Sequence, residues 1–260
     1  MKILVTNDDG ILAPGLWALV RALKRIGEVV VVAPDGERSA IGSAVTLRRP
    51  IRVEKVTPQV AGVVTYAIEG TPVDSVLLAL GKLAKDNLDL VVSGVNHGLN
   101  LGDDVTISGT VAAALQGYLH GLPSLAISTE RDRPAHFFET AAEFASLLAR
   151  RINHNGLPVN VLLNVNLPDV PLSEIKGLEI THLATRSHTD SAEEQDDGHY
   201  KLVRYKIDKA PDDRTDVWAI DRGNISITAL HPNLIQQPPP PIPESLYAGL
   251  LQELQDHTRH

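Results

Sequence analysis

The chain has 260 residues and a mass of 28.1 kDa, enough to hide roughly 70–75% of its unfolded surface in a core, and its 43% hydrophobic and 22% charged content excludes a disordered chain. A net charge of −8 excludes general nucleic-acid binding and attraction to an anionic membrane as functions. With no cysteine there is no disulfide, no thiolate zinc site and no thiol nucleophile, so any metal has oxygen or imidazole ligands.

Residues 3–6 open the chain as an apolar strand and give way to Asn7-Asp8-Asp9 too soon for a secretory signal. No apolar run reaches the ~18 residues of a membrane span, and a soluble cytoplasmic protein is expected. Pro14 then starts a helix whose face is Leu16, Leu19, Val20, Leu23 and Ile26, closed by Gly27. Further branched apolar runs at 29–33, 88–93, 124–128 and 161–166 alternate with helical patterns at 73–83, 111–119 and 138–152. Continuous apolar strands alternating with helices predict an α/β fold, a Rossmann-like, doubly wound and mostly parallel sheet. Residues 45–69 break the rhythm, because 45–47, 51–56 and 63–68 read as strands without a helix between them, a hairpin-rich insertion.

After Pro168 the character changes, which divides the chain into a catalytic core over 1–168 and a smaller β-rich C-terminal appendage over 169–260. Strands are expected at 178–184, 200–207, 217–220 and 225–230, and the acidic stretch 185–198 reads as a mobile exposed loop. Pro238–Pro241 and Pro243 form a stiff spacer before an amphipathic helix with Leu246, Leu250, Leu251 and Leu254 on one side. Such an arm packs on a partner subunit or on its own.

In an open α/β sheet the ligand crevice lies beyond the carboxyl ends of the strands, so the residues after each strand are the candidates. Asp8 and Asp9 follow the first strand with Gly10 to turn the chain. Paired carboxylates repel one another unless a cation lies between them, and such oxygen ligands favour Mg²⁺, Mn²⁺ or Ca²⁺. The alternative is an aspartate that caps a helix or steadies the turn. After the second strand, Ser39 can reach the same crevice or be an ordinary turn serine. After the 88–93 strand comes Ser93-Gly94-Val95-Asn96-His97-Gly98-Leu99-Asn100-Leu101-Gly102-Asp103-Asp104. Asn96 can offer oxygen to a metal or nitrogen to a phosphate, and Asn100 lies in the same glycine-rich loop, although these residues also simply permit tight turns. The loop lacks the G-x-G-x-x-G spacing, which disfavours a dinucleotide dehydrogenase. Ser108-Gly109-Thr110 opens the next helix, where free N–H groups and the helix dipole seat a phosphate and where Ser108 or Thr110 can equally be an N-cap. All these places fall at one edge of one sheet, and together they point to a metal-assisted phosphate site.

Thr6-Asn7-Asp8-Asp9-Gly10, Gly70-Thr71-Pro72-Val73-Asp74, Ser93 to Gly102 and Ser108-Gly109-Thr110 resemble the signature of the stationary-phase survival protein SurE family, over residues 1 to about 234. The resemblance implies a metal-dependent phosphatase of nucleoside monophosphates, with Asp8, Asp9, Ser39 and Asn96 holding one divalent ion and Ser108 and Gly109 lining the phosphate position. It also implies a swapped C-terminal part and a homodimer or homotetramer. Ile107 stands where family members commonly carry tyrosine, and Asn224 and Ala229 where they usually have tyrosine and proline. These departures bear on substrate preference and spare the ligands.

The expected chemistry is attack by a metal-activated water on a phosphomonoester, with Asp8, Asp9 and Asn96 catalytic and Ser108, Gly109, Thr110 and Asn100 on the substrate. Direct attack by Asp8, or its action as a base, ranks below this. His97 is a proton shuttle or a surface histidine. A phosphoacceptor regulatory domain also has an acid pair after its first strand, but Ser93-Gly94-Val95-Asn96 and Ser128-Thr129-Glu130 lack its acceptor aspartate and lysine. A nucleotide-binding sensor without hydrolase activity is the remaining rival.

Overall fold

Alternation along the first strand decides how the layers form. In the computed structural model, which describes residues 1–84, 87–130, 136–154, 161–207 and 212–231, β1 (Lys2–Thr6) is buried throughout. Ile3 and Val5 point to one face and Leu4 to the other, as the period of two requires. Ile3 and Val5 share a core with α1 (Pro14–Lys24), whose largest buried side chain is Trp17. The Trp17 Nε1 donates to the Ile11 carbonyl at 2.7 Å, so the indole is buried without an orphaned donor. Burying each such aliphatic side chain contributes roughly 1.5–3 kcal/mol.

The chain continues through β2 (Glu28–Pro34), β3 (Val53–Lys55), β4 (Val64–Ile68), α2 (Pro72–Leu78) with a π-helical turn at Ala79–Leu83, β5 (Leu90–His97), a 3₁₀ turn (Gly102–Thr106) and α3 (Gly109–Leu119). Next come β6 (Ser124–Thr129), α4 (His136–His154), β7 (Leu162–Leu167), β8 (Gly177–Thr181), β9 (His188–Glu194), β10 (Tyr200–Lys206), α5 (Asp216–Asp221) and β11 (Asn224–Leu230). The nine-stranded sheet runs β3-β4-β2-β1-β5-β6-β7-β11-β8. From β4 to β7 every neighbour is parallel, while β3 and β11 enter antiparallel. Phe138, Ala141, Ala142, Ala145 and Ala149 of α4 join α1 over one face, and Val76 of α2 and Ala113 of α3 pack with Leu4 on the other. The expected doubly wound, mostly parallel sheet is present. The chain leaves β1 toward β2 on one side and returns as β5 on the other, so the topological switch point, where such sheets bind ligands, lies between β1 and β5.

Beyond residue 168, β11 and β8 extend the main sheet, and the antiparallel hairpin β9–β10 stands apart as a two-stranded sheet. Three local expectations are corrected. The acidic stretch read as a loop contains β9, which pairs along its whole length with β10; an exposed two-stranded ribbon buries no face and so shows no apolar alternation. Residues 217–220 are helical, within α5, because Thr215 caps that turn by accepting the Trp218 N–H at 3.1 Å, and an apolar run that short suits either period. Residues 45–47 form no strand; the Thr46 N–H and the Ala44 carbonyl bond instead to Asp74 Oδ1 and Thr71 Oγ1. Strand β4, expected inside an insertion, pairs parallel with β2. The proline arm and final helix lie outside the described residues. Among the described residues no helix is long and apolar enough to cross a membrane.

Candidate metal and phosphate site

Asp8 leaves the end of β1 almost fully buried, at 4% exposure, with Asp9 partly open beside it. Gly10 turns the chain at φ +99°, and a β-carbon there would stand 2.9 Å from the Gly36 backbone, so only glycine lets the two loops touch. The Asn7 amide nitrogen closes the same turn by donating to the Gly10 carbonyl at 3.0 Å. Its Oδ1 is buried without a partner among the described residues. Burial raises the Asp8 carboxyl to about 6, the Asp9 charge adds to the rise, and hydrogen bonds from Thr110 oppose it.

Those bonds come from the start of α3. The Thr110 hydroxyl donates to Asp8 Oδ1 in a short bond, and its N–H donates to Oδ2 at 3.1 Å. Ser108 is the N-cap, accepting the Val111 N–H at 3.1 Å. The Ser108 N–H is taken by the Asp104 carbonyl at 3.1 Å, so the Gly109 N–H stands at the head of the helix between two backbone donors, those of Ser108 and Thr110, that are already used. A β-carbon on Gly109 would lie 2.9 Å from both Cβ and Oδ2 of Asp8. Glycine is what allows the helix to meet the carboxylate.

The second loop ends on β5. The β5–β6 ladder shifts register between Ser93 and Asn96, where the Gly94–Val95 peptide is cis, and resumes with Asn96 opposite Ser128. The Asn96 Nδ2 donates to the Gly98 carbonyl at 2.7 Å, so Oδ1 is the end this amide can offer. The His97 N–H donates to Asp9 Oδ2 at 3.1 Å. The His97 ring meets Phe138 edge-on. Ser39 donates to Glu37 Oε1 at 2.7 Å, and its loop is tied to the acid pair by the Arg38 N–H on the Asp8 carbonyl at 2.7 Å.

Six of the eight expected site residues, Asp8, Asp9, Ser39, Asn96, Asn100 and Ser108, line one cavity of about 330 Å³ at the switch point. Gly109 backs onto Asp8, and Thr110, expected on the substrate, is fully buried behind Asp8 and supports the carboxylate instead. The donors fit a hard dication: two carboxylates whose mutual charge favours a cation, an amide oxygen and a hydroxyl. Among the described residues no three histidine, aspartate or glutamate side chains cluster as a metal site, so the neutral oxygens of Ser39 and Asn96 are needed to complete one here.

Sequence reading missed the supports. Asn166 of β7 accepts the Asn100 N–H at 2.8 Å and returns its Nδ2 to the Asn100 carbonyl at 3.0 Å; Asn164 donates to that carbonyl at 2.8 Å. Ser128 receives the Asn100 amide at 2.8 Å. Asp216 accepts the N–H groups of Gly102 and Ala184 at 2.7 and 2.8 Å and holds the loop's far end; burial raises its carboxyl above the usual range. The Gly70–Asp74 motif is a capping box, in which Thr71 and Asp74 satisfy each other's N–H at 2.9 and 3.0 Å. Only this last signal, Thr-x-x-Asp before an apolar run, was open to sequence inspection.

Fold and crevice define the class: an open, mostly parallel α/β protein with an oxygen-rich site at its topological switch point. A family model described as Survival protein SurE matches residues 3–190. The chain is 51% identical over 256 residues to the 5'-nucleotidase SurE of Dehalococcoides mccartyi strain CBDB1, covering 96% of each. It is 47% identical over 240 residues to the 5'-nucleotidase SurE of Moorella thermoacetica, covering 90% of this chain and 91% of that protein. A crystal structure of the SurE protein from Aquifex aeolicus superposes with a TM-score of 0.78 at 33% identity, over 98% of this chain and 100% of that one. The chain belongs to the SurE family.

Proposed function

We propose that this protein is a divalent-metal-dependent phosphomonoesterase that hydrolyses nucleoside 5'-monophosphates, and 3'-monophosphates as a second class, to nucleoside and phosphate. The observation that carries the reading is the convergence of Asp8, Asp9, Ser39, Asn96 and Ser108 on one cavity at the head of α3. Its relatives' name, 5'-nucleotidase, supports the same reaction. Asp8, Asp9, Ser39 and Asn96 hold the metal, with Mg²⁺ or Mn²⁺ the resident ion and Ca²⁺ an occupant. Bound there, a dication supplies charge neutralisation and activation of the attacking water.

The chain's own groups do the rest. Thr110 fixes both oxygens of Asp8, so the carboxylate meets its cation without rotating. The Gly109 N–H and the Ser108 hydroxyl donate to the phosphoryl oxygens from the positive end of α3. Asn100, locked by β7, positions the substrate from the cavity wall. Ile107, at the cavity's mouth, meets the substrate with an apolar surface. A homodimer or homotetramer formed through the part after residue 168 belongs to the same reading, supported by the exposed Leu178 and Ile180 on edge strand β8.

The test is phosphate release from a panel of nucleoside 5'- and 3'-monophosphates, with Mn²⁺ or Mg²⁺ and then with chelator. Release is expected only with metal, and Asp9→Asn abolishes it while the circular dichroism spectrum is unchanged. Release indifferent to chelator overturns the metal mechanism. Nucleotide binding without release under any metal establishes the sensor in its place.

A further inference from the structure

A second acid pair, Asp103-Asp104, of which Asp104 lines the cavity, has no place in the reaction above, yet the structure uses both residues to seat the hairpin β9–β10. Asp103 Oδ1 accepts the N–H and the hydroxyl of Ser187 at 2.8 and 3.0 Å, at the root of β9. Asp104 Oδ2 faces His188 Nδ1 at 3.0 Å, and its Oδ1 accepts Nη1 of Arg204 from β10. The Asp104 backbone carbonyl accepts the Ser108 N–H at 3.1 Å. One residue therefore joins the hairpin to the cap of the phosphate-seating helix.

What the hairpin delivers is a guanidinium. Arg204 reaches the cavity, whose wall also carries the carboxylates of Asp8, Asp9, Glu37 and Asp104; no other lysine or arginine lines it among the described residues. Its Nε is held by Asp190 Oδ1 at 2.6 Å, directly across the ladder. With Nε and Nη1 each committed to a carboxylate, Nη2 is the end of the fork left for a ligand. The planar guanidinium matches an oxyanion, and anchoring two of its nitrogens in advance removes most of the ordering cost of using the third. A phosphate dianion approaching an acidic wall gains from a charged donor besides the neutral ones at the head of α3, because a charge-assisted hydrogen bond is roughly twice as strong.

We propose that Arg204 is a substrate-anion contact: carried to the cavity by the β9–β10 hairpin and fixed by Asp104, it donates through Nη2 to the phosphoryl group. This rests on the phosphomonoesterase reading. The experiment compares wild type, Arg204→Met and Arg204→Lys in the full chain with Mn²⁺. It reads KM and kcat for a nucleoside monophosphate, inhibition by inorganic phosphate and by the uncharged nucleoside, and calorimetric binding of phosphate. In Arg204→Met the KM and the phosphate inhibition constant rise together by roughly 10- to 100-fold, the range of one charge-assisted hydrogen bond. The nucleoside constant does not move, kcat falls less than KM rises, and millimolar guanidinium ion restores part of the loss. Arg204→Lys is intermediate. Unchanged phosphate affinity overturns the proposal, and so does an equal loss of nucleoside affinity, the mark of a hairpin that has merely come undocked. A wild type that binds phosphate in the calorimeter but releases none from nucleotides overturns the hydrolase reading alone.

Discussion

At position 109 the space a side chain would fill belongs to Asp8, 2.9 Å from an ideal β-carbon. Gly109→Ala therefore pushes the buried carboxylate out of line or moves the head of α3. Overpacking of this kind costs roughly 1–3 kcal/mol, and the activity loss is at least tenfold, read as lower phosphate release and a lower thermal midpoint. Wild-type turnover in this variant argues against Asp8 as a ligand. The acid pair itself was legible in the sequence, because it falls at the same sheet edge as a serine, an asparagine loop and a helix start, although two aspartates and a glycine alone also suit a cap or a turn. The part played by Thr110 was not. Its partner Asp8 lies 102 positions away, and a hydroxyl next to a helix start looks the same whether it caps, binds substrate or braces a carboxylate.

At the scale of elements, β7 contributes more to the site than its apolar pattern indicated. Asn164 and Asn166 are fully buried on a strand whose sequence reads as ordinary core, and both reach the backbone of Asn100. Asn166→Ala leaves the Asn100 N–H without its acceptor and removes one of the two donors to the Asn100 carbonyl, at a cost of roughly 2–4 kcal/mol in urea unfolding. KM for nucleotide rises, while the sheet, seen by circular dichroism, persists. Unaltered stability and unaltered KM together show that the loop holds its shape without β7. The parallel strands were readable because burial on both faces leaves a continuous branched apolar run. The exposed β9 and the short α5 were not, since neither presents a core-facing period long enough to declare itself.

For the whole molecule, the net charge of −8 opposes an anionic substrate everywhere except where the site supplies compensation. If Asp8, Asp9, Ser39 and Asn96 bind a dication only in the folded state, metal at about 100 times its dissociation constant adds about 2.7 kcal/mol of stability. For a chain of this size that is a rise of roughly 5–10 °C in thermal midpoint, visible by calorimetry and absent in Asp9→Asn. An equal rise in that variant places the metal elsewhere. The sequence by itself determined the buried parallel strands, most of the helices and the local motifs, because hydrophobic period, turn residues and adjacent carboxylates are properties of neighbours along the chain. Only the tertiary structure decided which groups meet. Asp8 with Thr110, Asn100 with Asn166 and Asp104 with Arg204 are each separated by 66 to 102 positions, and polar contacts over such separations leave no periodic trace for a sequence to show.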